Sequence, residues 1–244
     1  MMTSVDRRGM TKDGDERMGK VENAKELLAK GFAKSLMMQQ SVAQSNVERL
    51  RRVHPDKSPA DMVKFLNRTY LAAITSTGAG AGAAAAVPGA GMAVGIPAAL
   101  ADVMAFTEAS VLYVLSVAEV HGLHSEDIER RRLLVMTVML GDSAAGAVKA
   151  GAGKIGPHWG KKIVNAIPMS AINKANKALA PRFITKYGSK QGVLVLGKQL
   201  PAGAGALIGG TGNHLIGRGV IKSSAKVFGE VPDAWPVDDL LDQT

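Results

Sequence analysis

The chain contains no cysteine. That absence excludes disulfides, thiolate nucleophiles and thiolate metal sites together, and it fits a reducing compartment. Aromatic residues make up only 4% of the 244 positions, so neither an aromatic-rich core nor a platform for stacking nucleic-acid bases is available in quantity. Acidic residues are missing from one long region: residues 143–229 hold thirteen Lys and Arg and not one Asp or Glu. Charge of either sign is missing from residues 69–101. The first twenty residues lack the apolar run of a secretory signal, so a cytoplasmic start is the expectation.

What is abundant is glycine, at 28 residues, together with long alanine runs within a 46% hydrophobic composition. A core built this way packs backbone against backbone, which points to an all-α fold, a compact multi-helix domain with Gly/Ala-rich, closely packed central helices. The expected organisation is a flexible charged leader over residues 1–20, a helical domain over 21–229, and an acidic tail over 230–244.

Residues 22–52 carry Leu27, Leu28, Phe32, Leu36 and Val47 at near-helical spacing, with Gly31 as the one candidate breaker. Ser58-Pro59 reads as an N-cap and first helical position, with Asp61 in the first turn. The uncharged stretch 69–101 exceeds the roughly 20 residues that span a bilayer. It is divided by Pro88 and Pro97, so a helix, a bent connection and a second helix are expected, either as a hairpin in lipid or as dense packing in a soluble core. Gly78/Gly82, Gly91/Gly95 and, in the second glycine-rich stretch, Gly205/Gly209 have the four-residue spacing that lets helices approach closely, and the two stretches are expected to pack together. A long apolar helix ends at Gly122, Ser125 is expected to cap the next, and breaks are expected near residues 151–157 and at Pro168, Pro181 and Gly188. Only Val193–Leu196 is ambiguous with a strand.

No catalytic constellation emerges. Gly151-Ala-Gly153-Lys154 fails as a phosphate loop, because Val148 stands where the first glycine belongs and Ile155 where a magnesium-binding Ser or Thr belongs. Gly89-Ala-Gly91 and Gly210-Thr-Gly212 lack the strand and acid of a dinucleotide fingerprint. Gly141-Asp142-Ser143 is read as a helix break with its cap. Asp102 and Glu108, six residues apart, do not share a helix face, and His121 and His124 are placed in a turn, so no metal and no cofactor are expected.

The acid-free region repels itself unless something anionic is near. An anionic membrane surface is the favoured partner, with Lys161, Lys162, Lys174, Lys177, Arg182, Lys186 and Lys190 as head-group contacts. The protein's own acidic parts compete with that reading. An enzyme acting on a lipid-like substrate through Asp102, Glu108 or the His121/His124 region is the first alternative, and a nucleic-acid binder ranks below it because aromatics are scarce.

The run STGAGAGAAAAVPGAGMAVGIPAALADVMAFTEASVLYVLSVAEVHGL, continuing through SEDIERRRLLVMTVMLGDS, resembles the EcsC protein family, especially its actinobacterial-type members. The later IGGTGNHLIGRGV segment is similar to that family's closing region, and together these cover most of residues 65–229. The family takes its name from a protein encoded beside an ABC transporter. The resemblance therefore implies a bacterial, membrane- or transport-associated helical accessory protein, with a membrane transporter as a partner and a homo-oligomer left open. It carries no catalytic residues over. The expected location is the cytoplasmic face of the cell membrane, peripheral or partly inserted.

Overall fold

The computed structural model of the protein describes residues 12–85, 91–152, 159–188 and 204–236, and among these residues it is helical with no strand. The helices are α1 (Lys12–Val53), α2 (Pro59–Ala85), α3 (Gly91–Val120), α4 (Ile128–Leu140), α5 (Asp142–Ala152), α6 (Trp159–Asn165), α7 (Met169–Gly188) and α8 (Ala204–Phe228). The Val193–Leu196 segment and Lys190 lie outside the described residues.

One helix, α1, covers the region where one or two were expected, and it begins at Lys12, inside the stretch read as a leader. Leu28, Leu36, Ala43, Val47 and Leu50 form its buried stripe. Gly31 does not break it. A Cβ there would lie 2.0 Å from Met104 Cε of α3, so the glycine admits the tip of that methionine. At the start of α2, Asp61 N donates to Ser58 Oγ at 3.2 Å and Ser58 Oγ donates to Asp61 Oδ2 at 2.8 Å, which satisfies an amide that the helix itself leaves open.

Helices α2 and α3 run antiparallel and are pinned by tyrosines. Tyr70 and Tyr113 stack with centroids 4.5 Å apart. Tyr70 Oη pairs with Ser110 Oγ at 2.8 Å, and Tyr113 Oη donates to Asn67 Oδ1 at 2.7 Å. Burial pushes both phenols up, Tyr113 to about 12, so neither ionises near neutrality. The segment Leu100–Val120 of α3 is long and apolar enough to cross a membrane, but 67% of its most apolar window is buried inside the protein. It ends at Gly122, whose φ of 66° is the left-handed value that glycine accommodates.

Asp127, rather than Ser125, caps α4: its side chain accepts from Glu129 N and Arg130 N, both at 2.9 Å. A carboxylate directly before the first turn satisfies two open amides and meets the helix dipole. Every residue from Leu133 to Leu140 is buried, because α4 packs against α1, α3, α5, α6, α7 and α8. The three arginines at its start tie it outward. Arg130 Nη1 donates to Ile163 O at 2.7 Å, Arg131 Nη1 to Leu36 O at 3.1 Å, and Arg132 pairs with Glu129 at 2.7 Å.

Pro181 was expected to break the chain, yet α7 continues through it. Its ring is exposed, while Ile172, Leu179, Phe183 and Tyr187 are buried on either side. Packing of that face outweighs the one helical hydrogen bond a proline forfeits. Beyond Phe228 the chain stays on the domain as far as Pro236: Trp235 Nε1 donates to Lys57 O at 3.1 Å, and the Arg51 guanidinium lies 4.7 Å from the Trp235 ring centre.

The most extensive helix contact joins α2 to α8. Gly78 meets Gly209, and Gly209 also approaches Gly82. Farther along, Gly217 meets Leu71 and Ile74, so the two helices are antiparallel. Gly91 and Gly95 fall in the first turns of α3, and Gly205 in the first turn of α8.

Candidate functional site

The described part of the acid-free region forms α5 to α8, and its cations divide into two groups. Some, although exposed, are tied to other parts of the protein. Arg182 Nη1 donates to Ser143 O at 3.0 Å, and Lys186 Nζ donates to Met139 O at 2.9 Å, satisfying a carbonyl in the last turn of α4. Burial holds the Lys186 ammonium below its usual range. Lys226 pairs with Asp142.

Four others are exposed and not so engaged. On α6, Ile163 and Val164 are buried while Lys161 and Lys162 are exposed. On α7, Lys174 and Lys177 lie three residues apart, opposite the buried Ile172, Leu179 and Phe183. Among the described residues, none of these four lysines is in an ion pair. Helix α6 sits at the far end of α8 from the glycine contact. A Cβ on Gly160 would lie 3.1 Å from Val227 O, and Val227 is 18 residues past Gly209, about 27 Å along a helix. The lysine face and the glycine-rich contact are therefore separate places.

The acid and histidine candidates do not converge. Asp102 is buried, and Asn213 Nδ2 donates to its Oδ1 at 2.8 Å and to Ile74 O at 3.0 Å. This amide links α2, α3 and α8, with Thr75 Oγ1 and His214 Nδ1 paired beside it at 3.2 Å. Glu108 is exposed. His121 stacks on Phe228 at 5.2 Å, with Nδ1 2.8 Å from Val117 O, and burial lowers its pKa.

His124 stands between two carboxylates, with Nδ1 2.9 Å from Glu119 Oε1 and Nε2 2.5 Å from Glu126 Oε1. Gln40 Nε2 of α1 donates to the same Glu119 oxygen at 2.6 Å and lies 3.0 Å from His124 Nδ1. Burial opposes charge on this ring, but the bonds to Glu126 and Glu119 and their charges outweigh it, and the pKa is raised. The neutral ring accepts from Gln40; the charged ring donates to Glu119. Among the described residues no group of three or more His, Asp or Glu is arranged to hold a metal ion.

A further feature is not legible in the residue order. Helices α1, α4 and α7 border a half-open cavity of about 380 Å³, with Ala29, Asn173, Lys177 and Ala180 at its exposed rim. Phe32, Met136, Phe183 and Ile184 form its apolar wall, and Glu129, Arg132, Asn173, Asn176 and Lys177 its polar groups. Its walls are drawn from parts of the chain about 150 residues apart, between Phe32 and Phe183, so only the tertiary fold assembles them.

Comparison of the chain with family models, with curated proteins and with solved structures gives no match.

Proposed function

We propose that the protein is a non-catalytic accessory protein that binds an anionic membrane surface peripherally, from the cytoplasmic side, through the lysines of α6 and α7. The observation that carries this reading is the set Lys161, Lys162, Lys174 and Lys177, exposed on adjacent helices and without a carboxylate partner among the described residues. Each basic residue held near an anionic bilayer contributes about 1 kcal/mol. Four therefore give weak, salt-sensitive binding of the kind an accessory protein uses reversibly.

Two features favour surface binding over insertion. The glycine-rich helices spend their close-packing surfaces on one another, and α1 exposes the ion pairs Lys25–Glu22 and Lys30–Glu26 just before the point where Gly31 meets α3. The resemblance to the EcsC family supports a place beside a membrane transporter. A catalytic role is less favoured, because Asp102, Glu108, His121 and His124 occupy different surroundings.

Co-sedimentation of the full chain with phosphatidylglycerol and with phosphatidylcholine vesicles tests the proposal. Binding to the first alone, release by salt, and loss in a Lys161→Glu, Lys162→Glu, Lys174→Glu, Lys177→Glu variant are expected. Unchanged vesicle binding by that variant would overturn the reading. Salt-sensitive retardation of arbitrary DNA without vesicle binding would replace the lipid with a nucleic acid.

A further inference from the structure

At a site that shares only Lys177 with the lysine face, we infer that the groove between α1, α4 and α7 binds a free long-chain carboxylate, its alkyl chain along Ala29, Ala33, Ala180 and Ile184 above a floor of Phe32, Met136 and Phe183, and its head group at Arg132 and Lys177. The size suits this. A volume of about 380 Å³ falls at the lower end of the range for small-molecule sites, room for a single alkyl chain. Phe32 and Phe183, with centroids 4.4 Å apart, form the groove's buried apolar floor. Ala29 and Ala33, one turn apart on α1, and Ala180 on α7 line the space with methyl groups where larger residues would fill it.

The polar groups select the head. Glu129 is the one carboxylate among the lining residues, and it is already engaged. Arg132 Nη1 donates to both of its oxygens, at 2.7 and 3.0 Å, and Asn176 Nδ2 donates to Oε2 at 2.8 Å. With Glu129 neutralised by Arg132, the ammonium of Lys177 remains as net positive charge beside the apolar groove, and Arg132 Nε and Nη2 remain as donors among the described residues. Asn176 also donates to Glu129 O at 2.8 Å, which fixes its amide with Oδ1 turned the other way, buried and without a partner among the described residues. A purely apolar guest leaves that acceptor unserved, whereas a hydrated head group brings water that can donate to it.

Titration calorimetry of the full chain with octanoate, decanoate and dodecanoate below their micelle concentrations tests the inference. Affinity should rise about fourfold per added methylene until the cavity is full. Ala33→Leu and Ala180→Leu, each checked for unchanged helicity by circular dichroism, should both weaken binding at least tenfold. Lys177→Glu should weaken decanoate about tenfold and leave decanol of equal chain length unaffected. Absence of binding, or affinity in the two leucine variants unchanged from that of the wild type, would overturn the site; equal loss of decanol in Lys177→Glu would overturn the head-group assignment. A Lys161→Glu, Lys162→Glu, Lys174→Glu variant should keep decanoate binding, so failure of the vesicle reading and failure of this one are separable.

Discussion

Gly209 faces Gly78 so closely across α2 and α8 that a Cβ on Gly209 would lie 2.2 Å from the Gly78 carbonyl oxygen. The obstacle is backbone, which cannot rotate away as a side chain can. Gly209→Ala should therefore force the helices apart and cost about 1–3 kcal/mol, read as a lower midpoint in urea unfolding. An unchanged midpoint would mean that the two helices do not touch there.

Gly80 provides the control, since it lies in α2 two residues past Gly78 and a Cβ there meets nothing within 4 Å. Gly80→Ala should stabilise by about 0.4–1 kcal/mol, because alanine narrows the unfolded ensemble without crowding the native one. Opposite signs at Gly80 and Gly209, measured in the same assay, would separate helix propensity from packing.

Asn213 holds three helices with one amide, donating to Ile74 O of α2 and to Asp102 of α3. Asn213→Ala removes both donations from buried acceptors and should destabilise by about 1–3 kcal/mol. Thermal unfolding followed by circular dichroism checks it. A loss no larger than that of a surface substitution would show that the amide is dispensable.

His124 should make stability depend on pH. Its folded-state pKa lies above the ordinary 6.5, so the native state binds the proton more tightly than the unfolded chain. That contribution is fully present below pH 6.5 and is lost as pH rises through the raised value. His124→Gln should thus be destabilising below about pH 6 and close to neutral in mildly alkaline buffer. His121, which burial moves the other way, contributes above pH 6.5 and loses that contribution as pH falls through its lowered value. Unfolding midpoints of the wild type and His124→Gln across this range decide the matter; a constant difference would contradict the pairing with Glu119 and Glu126.

Trp235 fastens the segment after α8 to the corner between α1 and α2 through Arg51 and the Lys57 carbonyl. Trp235→Ala should cost about 1–2 kcal/mol, the sum of a cation–π contact and a hydrogen bond. Truncation after Gly229 should cost at least as much in the same urea assay. No loss in either would mean that this segment rests on the domain without holding it.

Much of the architecture could be read along the chain. The absence of charge over residues 69–101, the glycines at four-residue spacing and the Ser58-Pro59 cap are local signals, because helix formation, capping and close approach depend on residues within a turn or two. Gly31 shows where such reading stops. It was a candidate breaker in sequence, and its purpose is visible only once Met104, more than seventy residues away, is placed against it. Pro181 fails in the same manner, since local chemistry argues for a break that the burial of Phe183 and Tyr187 overrides.

The sequence alone determined that the protein is helical, that its helices meet through small residues, and that its uncompensated positive charge lies in residues 143–229, where acids are absent. Composition and short-range spacing suffice for these. Which of the exposed cations are engaged was decided by tertiary structure: Arg182 and Lys186 donate to backbone carbonyls of the α4–α5 region, while Lys161, Lys162, Lys174 and Lys177 form no ion pair among the described residues. The cavity between α1, α4 and α7 was decided there too. Both follow from which helix faces are buried against which, a relation between residues far apart in the chain that no local pattern encodes.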